Sequence, residues 1–191
     1  MLRYEKITKD NIDYAVEIQM KIFPGECAYQ HYLDVINKNL QWQNYYLVYE
    51  NNTVIGITGL YCSEDINETN SIWLGWFGVL EEYRKKGYGK RILLDTIEMA
   101  KNFSNKYPIK YFRLYTSIRD NTVAQILYKD VMDIEEIYNN KDDYTYDNTC
   151  VIYSKSLTDE KVPYWDNKFL NIKGYIEKEK NSLDEKKRLY E

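Results

Sequence analysis

The stretch Val79-Leu80-Glu81-Glu82-Tyr83-Arg84-Lys85-Lys86-Gly87-Tyr88-Gly89-Lys90-Arg91 decides how this chain is read. It joins an apolar, aromatic run, Ile72 to Val79, to an amphipathic run, Ile92 to Phe103, through two glycines and a cluster of Lys and Arg. A strand, a glycine loop and a helix in that order make an anion cradle. Gly87 and Gly89 lack the Cβ atoms that would hold backbone amides away from a phosphate, and the following helix turns its free N–H groups and positive dipole end toward the same point. A negatively charged ligand of pyrophosphate type is expected there.

Upstream, Arg3 to Ile7 reads as a strand, and Asn11 to Phe23 repeats apolar residues at helical spacing through Ile12, Ala15, Val16 and Met20. Pro24-Gly25 ends that helix, and a second runs from about Ala28 to Asn37. Strands follow at Tyr45 to Glu50 and Thr53 to Tyr61, with Asn51-Asn52 as the hairpin turn. Cys62 to Asn70 is a polar, acidic loop. Downstream of the glycine loop, Lys110 to Thr116 alternates as a strand, and Asp120 or Asn121 caps a helix ending near Lys129. Strands at Asp133 to Tyr138 and Thr149 to Ser156 flank a polar loop. Beyond Leu157 the chain is charged, with a Pro163-Tyr164-Trp165 anchor before a Lys/Glu-rich helix from about Tyr175. This order predicts an α/β fold, mixed and largely antiparallel, with one parallel crossover through the glycine-loop helix.

At 191 residues with a net charge of -4, the chain has the length of one ordinary domain and lacks the broad cationic face that nucleic-acid binding requires. Cys27, Cys62 and Cys150 follow no paired spacing, and a single histidine, His31, cannot complete a zinc set with them, so no metal is expected. Without a signal-peptide core or a run of roughly 18 apolar residues, the expectation is a cytoplasmic protein with neither membrane nor nucleic-acid partners. The high tyrosine count, 21, reads as compositional bias. His31 reads as an ordinary helix residue. Trp73 and Trp76 read either as strand-core packing or as the wall of an acceptor pocket.

Arg84-Lys85-Lys86-Gly87-Tyr88-Gly89 resembles the Arg/Gln-x-x-Gly-x-Gly/Ala signature of the GNAT N-acetyltransferases, and it follows a strand ending in Val79 as it does in that family. Asn121-x-x-Ala124-x-x-Leu127-Tyr128 is similar to the helix that follows the family's next strand. The resemblance covers residues 1–156 and implies a GNAT-like sheet of about seven strands flanked by helices, with 157–191 as a C-terminal helical extension. That extension is a candidate to cover the acceptor side, to pair protomers into a homodimer, or to cap the sheet.

What the resemblance implies for function is transfer of the acetyl group from acetyl-CoA directly to an amine of a small molecule or a peptide. The pantetheine arm would pair, in a gap between splayed strands, with the main chain of Phe77, Gly78 and Val79. The pyrophosphate would sit on the amides of Arg84, Lys85, Lys86, Gly87, Tyr88, Gly89 and Lys90. Asn121 would reach the cofactor arm, Ala124 would leave it room, and Tyr128 would stabilise the departing thiolate. Acceptor contacts fall to Glu26, in the loop between the first two helices, and to Trp76. Many relatives carry a Glu on the strand that here reads Trp73-Leu74-Gly75-Trp76-Phe77, so no general base is identified there. A non-catalytic acyl-CoA-binding sensor therefore stands as the alternative. A dinucleotide-binding protein is a third reading, weakened because the Lys-Ser/Thr ending of a P-loop is absent.

Overall fold

The computed structural model describes residues 1–62, 70–118, 122–139 and 149–165. They fall into two compact units, the first made of Met1–Tyr61 and Gly75–Thr96, the second of Cys62–Leu74 and the described residues from Ile97 on.

In the first unit, β1 (Leu2–Lys6), β2 (Asn44–Glu50) and β3 (Thr53–Tyr61) form an antiparallel meander. Asn51 turns the hairpin with a left-handed φ of 55°, a conformation asparagine tolerates better than other non-glycine residues. Helix α1 (Ile12–Ile22) buries Ile12, Ala15, Val16, Ile18, Gln19 and Ile22, an apolar stripe at helical spacing that packs on β3. Gln19 is polar but serves the backbone, accepting the Ala28 N–H at 3.0 Å just ahead of α2 (Tyr29–Lys38). A two-residue strand, β5 (Gly78–Val79), pairs antiparallel with β3 through Gly56↔Val79 and Ile57↔Gly78. Glycine is needed on both sides of this contact. A Cβ on Gly56 would stand 2.4 Å from the Gly78 carbonyl oxygen, and one on Gly78 would stand 2.3 Å from Ile22 of α1.

The second unit holds β4 (Ser71–Leu74), β6 (Tyr111–Ser117), α4 (Thr122–Val131), β7 (Ile134–Asn139) and β8 (Thr149–Ser156). β4 and β6 are parallel, while β6–β8 and β7–β8 are antiparallel. The chain between the parallel partners carries α3 (Tyr88–Ser104), the expected crossover helix. Eight strands among the described residues, mostly antiparallel, make the fold the mixed α/β type that the element order predicted.

Two expectations need correction. The aromatic strand does not run unbroken from Ile72 to Val79. It stops at Leu74 and resumes at Gly78, because Trp76 between them takes a left-handed φ of 44° that no strand accommodates. This break raises the strand number from seven to eight. The glycine-loop helix also starts at Tyr88 rather than near Ile92, so Gly89, Lys90 and Arg91 belong to its first turn. The acidic segment 63–69, the capping pair at 120 and 121, and the expected terminal helix lie outside the described residues.

Arg113 organises the second unit. It is 2% exposed, and its guanidinium donates from Nε to Ser71 Oγ (3.0 Å), from Nη1 to Ser154 Oγ (2.5 Å) and from Nη2 to the Pro163 carbonyl (3.1 Å). Burial pulls its pKa down to about 10, opposed by the nearby charge of Glu136. Glu136 in turn accepts the Trp165 N–H at 2.7 Å, and Trp165 stands edge-on to Trp73 at 4.9 Å. The Pro163-Tyr164-Trp165 anchor is thus gripped through Trp165, while Tyr164 faces solvent. Cys27, Cys62 and Cys150 are buried thiols. Among the described residues no helix is long and apolar enough to cross a membrane.

Replacing Arg113 by Met should leave two buried hydroxyls and a carbonyl without their donor. The expected loss is roughly 2–3 kcal/mol of stability by urea denaturation. A change below about 0.5 kcal/mol would show that the Arg113 hydrogen bonds do not hold this unit together.

Candidate functional site

The glycine loop is anchored at both ends by one apolar cluster. Val79 before it and Ile92 after it pack with Val48 and Ile55, and Phe77, Tyr83 and Tyr88 flank the cluster. Between these anchors a turn of 3₁₀ helix, Glu81–Tyr83, leads into an extended Arg84 (φ -67°, ψ 164°). Lys85 (φ 60°) and Gly87 (φ 82°) are both left-handed. Left-handed residues in a turn can aim neighbouring N–H groups into one concavity, as in an anion nest. Gly87 is required by its backbone conformation rather than by crowding, since a Cβ there would meet nothing within 4 Å. The same open space is what a phosphate approaching the backbone needs. The first helical hydrogen bond of α3 runs from the Arg91 N–H to the Gly87 carbonyl at 3.2 Å, so the N–H groups of the first turn have no helical partner.

Side chains tie this loop to its surroundings. Arg84 Nε donates to the Val79 carbonyl at 3.0 Å, and Lys86 Nζ donates to the Glu82 carbonyl at 3.0 Å while lying 5.3 Å from the Tyr83 ring centre. The Tyr88 hydroxyl donates to the Glu50 carboxylate, which raises the phenol pKa. Asp95 accepts from Arg91 Nε at 3.1 Å and from the Tyr4 hydroxyl at 2.8 Å, fixing the first turns of α3 against β1.

The main chain before the loop has a defined sense. The Leu80 N–H donates to the Ile55 carbonyl at 2.9 Å, so Leu80 and Gly78 turn their polar backbone groups toward β3. By the alternation of a strand, Phe77 and Val79 turn theirs away from it.

Beside the strand break stands an aromatic group. The Trp76 indole meets Phe23, at the end of α1, edge-on at 5.5 Å, and its Nε1–H donates to His31 Nδ1 at 3.0 Å. Glu26 follows closely, its N–H bonded to the Phe23 carbonyl at 3.2 Å, and burial raises its carboxyl pKa. A half-buried carboxyl that holds its proton to higher pH is better matched to accepting one near neutrality than a solvated one.

In the second unit Tyr128 lies on α4, 7% exposed, with Ala124 one turn earlier and half-buried. Its ring packs 5.5 Å from that of Tyr153, and burial, helped by Tyr153, pushes the phenol pKa well up, so Tyr128 is a neutral hydrogen-bond donor throughout the neutral range. Gln125 Nε2 donates to the carbonyls of Ser117 (3.2 Å) and Ile118 (3.0 Å), clamping α4 to the end of β6.

The predicted residues distribute as follows. Phe77, Gly78, Val79, Arg84, Lys85, Lys86, Gly87, Tyr88, Gly89 and Lys90 form one continuous segment of the first unit, with Trp76 and Glu26 linked through Phe23. Ala124 and Tyr128 share a face of α4 in the second unit. Asn121 lies outside the described residues. Among the described residues no group of His, Cys, Asp or Glu could hold a metal ion. A cavity of about 140 Å³, lined by Tyr32, Val35, Asn44 and Tyr45 among others, involves none of the predicted residues. Sequence reasoning missed His31, whose link to Trp76 spans 45 positions and leaves no local signal.

The model of the acetyltransferase (GNAT) family matches residues 12–132. The chain belongs to that family. No curated protein sequence matches it, but solved structures do. The ribosomal-protein-S18-alanine N-acetyltransferase of Escherichia coli is similar over 89% of this chain and 100% of its own, with a TM-score of 0.61 at 11% identity. A spermidine/spermine N-acetyltransferase from Vibrio cholerae covers 82% of this chain and 94% of its own (TM-score 0.64, 12% identity). A GNAT acetyltransferase from Elizabethkingia anophelis with acetyl-CoA bound covers 81% and 97% (TM-score 0.57, 20% identity). At such identities these likenesses establish the fold.

The left-handed, uncrowded Gly87 ahead of an open helix turn fits the pyrophosphate of that family's acyl donor. Replacing Gly87 by Val should weaken acetyl-CoA binding by at least tenfold in calorimetry, because a β-branched residue is strained at positive φ and its methyl groups occupy the anion's approach. Unchanged affinity would remove Gly87 from the cradle.

Proposed function

We propose that this family member uses the amides of 84–90 to hold the acetyl-CoA pyrophosphate and the outward-facing main chain of Phe77 and Val79 to hold the pantetheine arm. We propose a primary amine as its acceptor. The observation that carries the reading is the loop itself: two left-handed residues and a helix start, directly after a two-residue strand, pinned at both ends by Val79 and Ile92. Several amide-to-anion hydrogen bonds at about 1.5–3 kcal/mol each can dominate the affinity. When bound, the thioester supplies the activated acetyl group.

The chain's own residues then handle protons. An alkyl amine of pKa about 10.4 is roughly one part in 2,500 neutral at pH 7, so its deprotonation costs about 4.6 kcal/mol. Glu26, its carboxyl pKa raised by burial and its N–H bonded to Phe23, the residue that packs on Trp76, is the carboxylate we assign to take or relay that proton. Tyr128 keeps its own proton. With its pKa pushed above that of an ordinary phenol, complete transfer to a thiolate is more uphill than the roughly 2 kcal/mol separating unperturbed groups. Its role is a hydrogen bond toward the charge developing on sulfur, a role that rests on the family resemblance of Asn121 to Tyr128. The two acceptors named for similar folds, a polyamine and the alanine of a ribosomal protein, are both amines, which supports the class without choosing within it.

Calorimetry with acetyl-CoA, CoA, ATP and NAD should show binding of the first two only; a preference for ATP or NAD would sink the reading. A thiol-release screen over polyamines, amino acids, aminoglycosides and peptides should find turnover with an amine. Acetyl-CoA binding with no turnover across all four classes would favour the sensor alternative, to which the carboxylate-free segment Trp73 to Phe77 also points.

On a confirmed acceptor, Tyr128→Phe is expected to lower kcat roughly a hundredfold with KM nearly unchanged. Unaltered kcat would withdraw the thiolate role.

A further inference from the structure

His31 is the only histidine of the chain and is 9% exposed. Its two ring nitrogens have different partners. Trp76 Nε1 faces Nδ1 at 3.0 Å, and the Tyr45 hydroxyl faces Nε2 at 3.2 Å. An indole N–H can only donate, so Nδ1 must carry a lone pair. The imidazole is therefore neutral with its proton on Nε2, which donates to the Tyr45 oxygen. Tyr45 is itself buried and closely packed. Its hydroxyl would lie 2.2 Å from a Cβ on Gly75, and its ring 2.0 Å from one on Gly59, so two glycines make room for it. A line of contacts thus runs from the paired strands of the meander, through Tyr45 and His31, to the indole of the residue that breaks the strand.

That residue has a costly backbone. A bulky side chain at φ 44° is a rare conformation, and it persists only where surrounding contacts over-determine it. The contacts here are the edge-on packing with Phe23 and the hydrogen bond to His31. Phe77, the next residue, begins the main chain assigned to the pantetheine arm. We propose that His31 is a positioning residue for acetyl-CoA: as the neutral Nε2–H tautomer it latches the Trp76 indole, and so holds the strand break that presents Phe77 and Val79 to the cofactor. The inference rests on the acetyl-CoA reading above.

Protonation undoes the latch. An imidazolium carries a hydrogen on Nδ1, which then meets the indole N–H donor to donor, and the bond is lost. The latch is present above the imidazole pKa and absent below it. Tyr45 of β2 and Tyr61 of β3 make ring contacts with the imidazole at 5.2 and 5.1 Å, and the titratable side chains on its own helix are Tyr29, Tyr32, Asp34 and Lys38. Asp34 accepts from Gln30 at 2.7 Å.

Because the chain has one histidine, ¹⁵N-histidine labelling gives a single imidazole pair. At pH 8 the expected spectrum shows an unprotonated Nδ1 and a protonated Nε2, and on acidification the Trp76 indole N–H resonance should follow the imidazole titration curve. Calorimetry with acetyl-CoA from pH 8 to 5.5 supplies the functional arm. Wild-type affinity should fall more steeply than that of His31→Asn, whose amide oxygen can stand near the place of Nδ1 without titrating. Comparing these two proteins cancels the titration of the ligand's own phosphate, whose pKa is about 6. His31→Phe, which offers no acceptor, should bind acetyl-CoA about tenfold more weakly at pH 8. Trp76→Phe, which removes the donor, should also lose the excess acid sensitivity and serves if His31→Asn folds poorly. A protonated Nδ1 at pH 8, or the same acid limb in wild type and both substituted proteins, would overturn the proposal. If the spectra are as expected but wild type binds no acetyl-CoA at pH 8, the cofactor reading fails and takes the positioning role with it, while the His31–Trp76 bond stands demonstrated.

Discussion

A backbone N–H that is to bind a ligand cannot also close a helix or a ladder, yet must be held still, and the acetyl-CoA reading proposed for the first unit depends on meeting both demands. Two devices do this. Left-handed residues take the chain out of regular structure, at Trp76 before β5 and at Lys85 and Gly87 before α3. Packing then restores the rigidity that regular structure would have given, through Val48, Ile55, Val79 and Ile92 under the loop and through Phe23 and His31 beside the break. Remove the packing and the amides would find partners in water or in one another. The glycines at Gly56 and Gly78 belong to the same scheme, since they let a strand of only two residues lie against both β3 and α1.

The second unit solves a different problem, that of burying charge and phenol productively. Among the described residues Arg113 has no ion pair; its buried charge is met by two hydroxyls, a carbonyl and the aromatic faces of Tyr111 and Trp165, with the charge of Glu136 nearby. The arrangement spends a cation to fasten the segment after β8. Tyr128, buried on α4, keeps its proton more firmly than an exposed tyrosine would. That favours a role as a donor of hydrogen bonds over one as a donor of protons.

Local pattern made much of this legible. The Asn51-Asn52 turn, the alternation of β6, the apolar stripe of α1 and the glycine motif each encode their structure within a dozen residues. The strand break was masked by Trp73, Trp76, Phe77 and Val79, all strand-favouring residues, although Gly75 beside it is a residue that often marks a bulge; the contacts that hold Trp76 in place come from Phe23 and His31, many residues earlier. The true start of α3 was hidden by Gly89, a poor helix former that sits here in the first turn. Arg113 looked like one polar residue on an alternating strand, and only the return of the chain at Ser154 and Pro163 explains its burial. For the candidate site, the left-handed loop was signalled in the sequence by Gly87 and its basic neighbours, whereas the hydrogen bond between His31 and Trp76, 45 positions apart, left no local mark.

Tyr88, between the two glycines, has a consequence for encounter rather than for affinity. Its hydroxyl engages the Glu50 carboxylate at the tip of the β2–β3 hairpin, close to where a multiply charged anion is expected. An unshielded carboxylate there would repel the incoming ligand and compete for the neighbouring lysines. By drawing part of that negative charge onto a phenol, the tyrosine acts as insulation. The field of Arg84, Lys85 and Lys86, all exposed, then reaches outward and bears on how quickly a ligand is captured from dilute solution.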